Sequence, residues 1–176
     1  MPTPAPTRRR WLGLALGSAL GLGGCGFALR QRADLAFKTV YADMAARSNL
    51  GVSMRRQLLG AGLQVFERSE QAAQADIVLQ LKDEVRRQVV VGMTPAGQVR
   101  ELQLRAEVTV QVLTPAGLVL IEPVRLEQQR DLSFTESAAL SKDIEQAMLY
   151  TDMENELVQQ IMRRLSRLKM PATARP

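Results

Sequence analysis

The stretch Gln98-Val99-Arg100-Glu101-Leu102-Gln103-Leu104-Arg105-Ala106-Glu107-Val108-Thr109-Val110-Gln111-Val112-Leu113 decides the fold. Leu102, Leu104, Ala106, Val108, Val110 and Val112 alternate with Gln103, Arg105, Glu107, Thr109 and Gln111. A period of two residues is that of a β-strand, and here one face is apolar and the other polar, as in an antiparallel sheet covered on one side only. The tetrapeptide Thr-Pro-Ala-Gly stands on both sides of it, at 94–97 and 114–117. Proline presets φ at the second turn position and glycine accepts positive φ at the fourth, so each copy predicts a type I turn running into a glycine bulge. The similarity stops at the turns, so no internal repeat follows.

Working outward, three strands form an up-and-down meander. The first is Asp76–Val91, with Ile77, Leu79 and Leu81 on one phase and Val85, Val89 and Val91 continuing it beyond a charged middle. The third is Leu118–Phe134, where Pro123 lacks an N–H and belongs at a sheet edge or a bulge. Gly26–Val40 reads as an extended entry strand. Ser48–Gly62 carries Leu50, Met54 and Leu58 at four-residue steps, a Ser or Asn to cap its start and glycines at its end, which predicts an amphipathic helix. Leu63–Glu67 has the composition of a short strand, and Gln71–Gln74 is a polar connection. From Ser137 to Leu168 there is neither proline nor glycine, enough for about 45 Å of helix. Leu140, Ile144, Ala147, Thr151, Val158, Ile161, Leu165 and Leu168 trace its apolar stripe, widened by Leu149, Met153 and Leu157. Glu145, Asp152, Glu154 and Glu156 fall mainly outside that stripe, while Arg163, Arg164, Arg167 and Lys169 gather at the C-terminal end, an order that suits the helix dipole.

The N-terminal segment carries a different message. Arg8, Arg9 and Arg10 precede the uncharged apolar run Trp11–Gly23, the order of a signal peptide, and the run is too short to cross a bilayer. Leu22-Gly23-Gly24-Cys25 then resembles the lipobox of bacterial lipoproteins. The resemblance implies that residues 1–24 are removed and that Cys25 carries N-acyl and S-diacylglycerol lipid. Cys25 is the only cysteine of the 176 residues, so it has no disulfide partner within the chain. Several acyl chains on one residue anchor stably where one alone binds marginally. Gly26 follows the cysteine where inner-membrane lipoproteins commonly have aspartate, which implies the periplasmic leaflet of the outer membrane.

The expected organisation is a signal peptide over 1–24, one domain over 25–170 and a short disordered tail over 171–176. Removing the three leader arginines from a net charge of +5 leaves +2, so nucleic acid is not implied as a partner. With no histidine and no second cysteine, the chain cannot build a Ser-His-Asp triad, a Cys-His dyad or the commonest zinc sites. No cofactor, metal site or catalytic residue is expected. Nothing in the spacing of Glu145, Asp152, Glu154 and Glu156 selects an acid/base pair.

Taken in order, these elements resemble the LptE family of lipopolysaccharide-assembly lipoproteins. The residues that carry the resemblance are Cys25-Gly26-Phe27-Ala28-Leu29-Arg30, the strand that opens at Gly97-Gln98 and runs through Val108–Leu113, and Lys142-Asp143-Ile144-Glu145-Gln146 followed by Met148, Met153 and Gln160 to Leu165. It implies an α+β fold in which two helices pack on one face of a four-stranded, mostly antiparallel sheet, a two-layer sandwich. It also implies a lipid-anchored plug inside the outer-membrane β-barrel LptD, the pair delivering lipopolysaccharide to the cell surface.

By residue match, Lys142 is the basic position carried over for lipopolysaccharide phosphates. Family members also present a basic residue near the first meander turn, where this chain has Pro95 and Ala96; Arg100, or Arg86 and Arg87, are the candidates to replace it. The same arginines, with Arg105, equally fit the solvated face of a sheet, and Lys142 with Asp143 fits a helix-surface pair worth a few tenths of a kcal/mol. The competing reading of the whole is a freestanding outer-membrane lipoprotein that binds another envelope ligand through its sheet.

Overall fold

The computed structural model describes residues 35–134 and 139–170. The expected leader, Cys25, the first part of the entry strand and the tail over 171–176 lie outside them. The elements run β1 (Thr39–Asp43), α1 (Asn49–Gly60), β2 (Gln64–Phe66), a 3-10 helix (Ser69–Gln74), β3 (Ile77–Met93), β4 (Val99–Leu113), β5 (Val119–Ser133) and α2 (Ala139–Leu165). The strands form one sheet in the order β2-β1-β3-β4-β5.

This corrects the expected four-stranded, mostly antiparallel sheet: it has five strands and is mixed. β1 pairs in parallel with both β2 and β3, while β3–β4 and β4–β5 are antiparallel. The reason is local. β1 and β2 are joined through α1, and a helical crossover returns the chain in the same direction where a tight hairpin would reverse it. β2 has only three residues, too few to show alternation in the sequence.

The meander turns form as the repeated tetrapeptide predicts. Gly97 and Gly117 take φ of 80° and 87°. Each donates its N–H to the carbonyl of the turn threonine at 2.9 Å, and each threonine N–H is bonded to the residue after the glycine at 2.8 Å. Pro123 lies on the edge strand β5, beside an irregularity where Val110 pairs Val124 and Val112 pairs Ile121. Ser48 caps α1, its hydroxyl accepting the Gly51 N–H at 2.8 Å.

The core lies between the helices and one face of the sheet. Leu50, Met54 and Leu58 of α1 and Met153, Leu157, Ile161 and Leu165 of α2 meet Val40, Ile77, Leu79 and the even-numbered residues Leu104–Val112 of β4. β3 does not keep its phase. Lys82 pairs Thr109 but Val85 pairs Glu107, so Asp83 and Glu84 together stand opposite one residue, Val108; Asp83 takes a positive φ of 50°. This β-bulge reverses which parity of β3 faces the helices. Val85 and Val89, expected on the same face as Leu79, turn to the other side, and Arg86, Gln88 and Val90 come to face the helices.

At the start of β1 and β3, Asp76 ties the two strands. Its carboxylate accepts the N–H groups of Lys38 and Thr39 at 2.7 and 2.9 Å, and its own N–H reaches the Thr39 hydroxyl at 2.8 Å. Burial pushes the Asp76 carboxyl up, but these backbone and hydroxyl hydrogen bonds and the Lys38 charge outweigh it and hold the group below the usual carboxylate value of 3.8. A depressed folded value adds stability that is complete above the unfolded value and disappears as pH falls through the folded one. Asp76→Asn should therefore cost about 1 kcal/mol in urea unfolding at pH 7 and progressively less toward pH 3; a cost independent of pH would contradict the assignment.

Candidate functional site

The four candidate cations do not form one cluster. Arg86 pairs with Ala106 in register and so faces α2. Its Nε donates to Glu154 at 2.7 Å, a second guanidinium nitrogen bridges the same carboxylate, and its Cζ lies 5.2 Å from the centre of the Tyr150 ring. Glu154, which the helix pattern puts among the outer acids, is only 4% exposed. Burial pushes its carboxyl above the ordinary value, Glu84 adds to that, and Arg86 opposes it. Tyr150 donates its hydroxyl to the Arg87 carbonyl at 2.9 Å; burial raises this phenol's pKa, with Arg86 opposing, so it remains a donor. Arg86 thus acts as a structural ion-pair partner between sheet and helix. Arg87 points to the opposite, helix-free face, across from Arg105.

Arg100 and Lys142 lie at the same end of the sheet, the one reached by the first meander turn. The Arg100 carbonyl accepts the Phe134 N–H at 2.8 Å, and Lys142 Nζ lies 3.3 Å from the hydroxyl of Ser133, which pairs with Glu101. Lys142 is also bonded to Glu145 at 2.7 Å, the intrahelical pairing, although Asp143 is its neighbour in sequence. From Arg86 to this pole the sheet runs five residues, roughly 17 Å.

The same pole carries an exposed apolar surface that includes Val89, Val91 and Ile144, which the sequence reading puts on the apolar phases of β3 and α2. Val89, Val90, Val91 and Met93 of β3 are exposed, as are Ile144 and Met148 of α2 at 61% and 65%. β1 pairs with β3 only from Ile77 to Gln80, so among the described residues the upper half of β3 is an uncovered edge on its β1 side. Neither feature had a usable signal in one sequence: an exposed valine or isoleucine in phase with a stripe looks the same as a buried one.

The helix-free face of the sheet is held by charge. Glu107, 5% exposed, is bridged by Arg125; Arg105 reaches Gln103 and Glu127, and Gln103 reaches Asp131. These groups are mutually satisfied. Among the described residues no group of His, Cys, Asp or Glu could hold a metal ion, and no helix is long and apolar enough to cross a membrane. The arrangement offers an exposed apolar pole that also carries Arg100 and Lys142, and among the described residues no assembled nucleophile, acid and base.

The family model described as "LptE: Lipopolysaccharide-assembly" matches residues 37–165. A protein of Photorhabdus laumondii named LPS-assembly lipoprotein LptE is 29% identical over 163 residues, covering 90% of this chain and 86% of that one. Among solved structures, lipoprotein B from Nitrosomonas europaea superimposes with a TM-score of 0.68 at 29% identity, covering 80% of this chain and 90% of its own. Rare lipoprotein B from Shewanella oneidensis gives 0.63 at 19% identity, with coverage of 74% and 95%, a likeness of fold.

Two substitutions separate a surface cation from a structural contact. Arg100→Gln should change unfolding free energy by less than about 0.5 kcal/mol, since Arg100 is exposed. Tyr150→Phe should cost about 1 kcal/mol, since it removes one partly buried hydrogen bond. A neutral Tyr150→Phe would mean that the hydroxyl does not hold α2 to β3.

Proposed function

Because this chain belongs to the LptE family of lipopolysaccharide-assembly proteins, we propose that it is the lipid-anchored partner of an LptD-type outer-membrane barrel and sits within that barrel as a plug. In this reading Cys25 carries the anchor on the periplasmic side of the outer membrane. The domain performs no bond chemistry; its work is to occupy and shape the path along which lipopolysaccharide passes.

The observation that carries the reading is the pole that holds Arg100 and Lys142. There an uncovered strand edge, exposed Val89–Val91 and Met93, and exposed Ile144 and Met148 lie at the end of the molecule opposite the entry of the chain into β1. A water-exposed apolar surface beside an open edge calls for a covering partner. The interior of a barrel provides one and leaves the two cations beside the passing lipid phosphates. The charged, self-satisfied face of the sheet suits contact with the polar lumen of a large barrel.

Extraction in mild detergent should yield the protein in a stoichiometric complex with a large β-barrel, and intact mass should show a chain that starts at Cys25 with its lipid. Depletion should raise envelope permeability to large hydrophobic antibiotics. Within the intact complex, Arg100→Glu with Lys142→Glu should weaken photo-crosslinking to lipopolysaccharide several-fold while the barrel still co-purifies. A protein that elutes alone would overturn the plug reading and favour a freestanding lipoprotein.

A further inference from the structure

A cationic and apolar surface lies at the opposite pole. An open groove of about 480 Å³ runs between the start of β5 and the end of α2. Leu120, Ile121, Val124 and Leu168 give it an apolar floor, and Arg164, Arg167 and Lys169 stand on its rim with a single acid, Glu122. None of the three cations takes part in an ion pair among the described residues. The negative end of a helix dipole attracts cations. It does not by itself call for an apolar trough beneath them, nor for the exposed Leu118 and Val119 where the second meander turn enters β5.

The sheet register shows where this pole lies relative to the chain's entry. Val40 pairs Ile77, Val78 pairs Leu113, and Leu113 pairs Val119, so the starts of β1, β3 and β5 and the end of β4 share one row. The segment that leads from Cys25 into β1 therefore reaches the domain at this end. Nine residues lie between Cys25 and Leu35, so the two are at most about 35 Å apart even when that segment is fully extended.

We propose that this groove binds one anionic glycerophospholipid of the bilayer that holds the acyl chains of Cys25. The lipid phosphate meets Arg164, Arg167 and Lys169, and part of an acyl chain lies on Leu120, Ile121, Val124 and Leu168. Guanidinium groups match phosphate oxygens in geometry and charge, and the apolar floor selects an amphiphile over a free phosphate ion. The site fixes the orientation of the domain at the membrane, with this pole at the periplasmic bilayer surface and the opposite pole directed into the barrel. The proposal rests on the anchored reading of Cys25 for the source of its lipid.

A reporter tryptophan tests it. The full-length chain with Trp11→Phe and Leu120→Trp has its only tryptophan in the groove, whether or not the leader is removed. In mixed micelles of a nonionic detergent, phosphatidylglycerol brominated on its acyl chains should quench that tryptophan at about tenfold lower mole fraction than brominated phosphatidylcholine. Arg164→Glu with Arg167→Glu should abolish the preference, as should the milder pair Arg164→Gln and Arg167→Gln, with unchanged circular dichroism. The same charge change at the exposed Arg47 and Arg56 should leave it intact. Equal quenching by the two lipids, or a preference that survives either groove pair, would overturn the proposal. Relief of quenching by unlabelled lipopolysaccharide at lower mole fraction than by unlabelled phosphatidylglycerol would also overturn it. Intact mass of the same preparation reports acylation of Cys25 independently: a preference for phosphatidylglycerol in an unacylated chain would refute the anchor and keep the groove.

Discussion

The arrangement of this domain depends on a carboxylate buried beneath a helix. Glu154 faces the sheet within the apolar contact of α2, where an unpaired charge would be costly. Arg86 reaches it from β3 and stacks on Tyr150, whose hydroxyl is bonded to the backbone of Arg87. The bulge at Asp83 and Glu84 makes the meeting possible. In an unbroken alternation Val85 would have faced the helix and Arg86 the solvent. One extra residue in one strand thus decides which arginine is structural, where α2 rests, and which valines are left uncovered at the pole.

The two poles follow from unequal strand lengths. β1 and β2 have five and three residues, while β3, β4 and β5 have fifteen or more. α1 and the short strands therefore cover only one end of the longer hairpins. At the other end the edge of β3 and the first half of α2 project, and Arg100 and Lys142 lie at that end. The result is a two-ended module with a core between the ends and a charged, internally satisfied sheet face along one side. Such a body is suited to bridging two environments, and nothing in its described part assembles the groups of a catalyst.

Much of this was legible in the residues. The alternation of Leu102–Val112, the two Thr-Pro-Ala-Gly turns, the proline-free length of α2 and the Leu50, Met54, Leu58 spacing identify the elements because each is a local periodic signal. Parallel pairing was not legible, since alternation does not encode strand direction, and a three-residue β2 carries no period. The phase reversal in β3 was hidden in a charged stretch, Lys82-Asp83-Glu84, that reads equally as a solvated strand. Of the candidate site residues, Arg100 and Lys142 fall at one pole through the β4–β5 register, whereas adjacent Arg86 and Arg87 part to opposite faces. Ile144 fits the helical stripe yet is exposed, and Glu154 breaks it yet is buried, because the stripe is set by what covers the helix at each turn.

A double-mutant cycle on Arg86 and Glu154 tests the central claim most directly. Unfolding free energies of Arg86→Met, Glu154→Gln and the double variant give the coupling between the two side chains without assuming the contribution of either alone. With Glu154 ionised at pH 8, and allowing for the partial exposure of Arg86, the coupling should be about 1–2 kcal/mol, and it should shrink as pH is lowered through the titration of Glu154. A coupling below about 0.3 kcal/mol at pH 8 would mean that Arg86 does not hold α2 to the sheet, and the placement of the exposed pole would have to be explained another way.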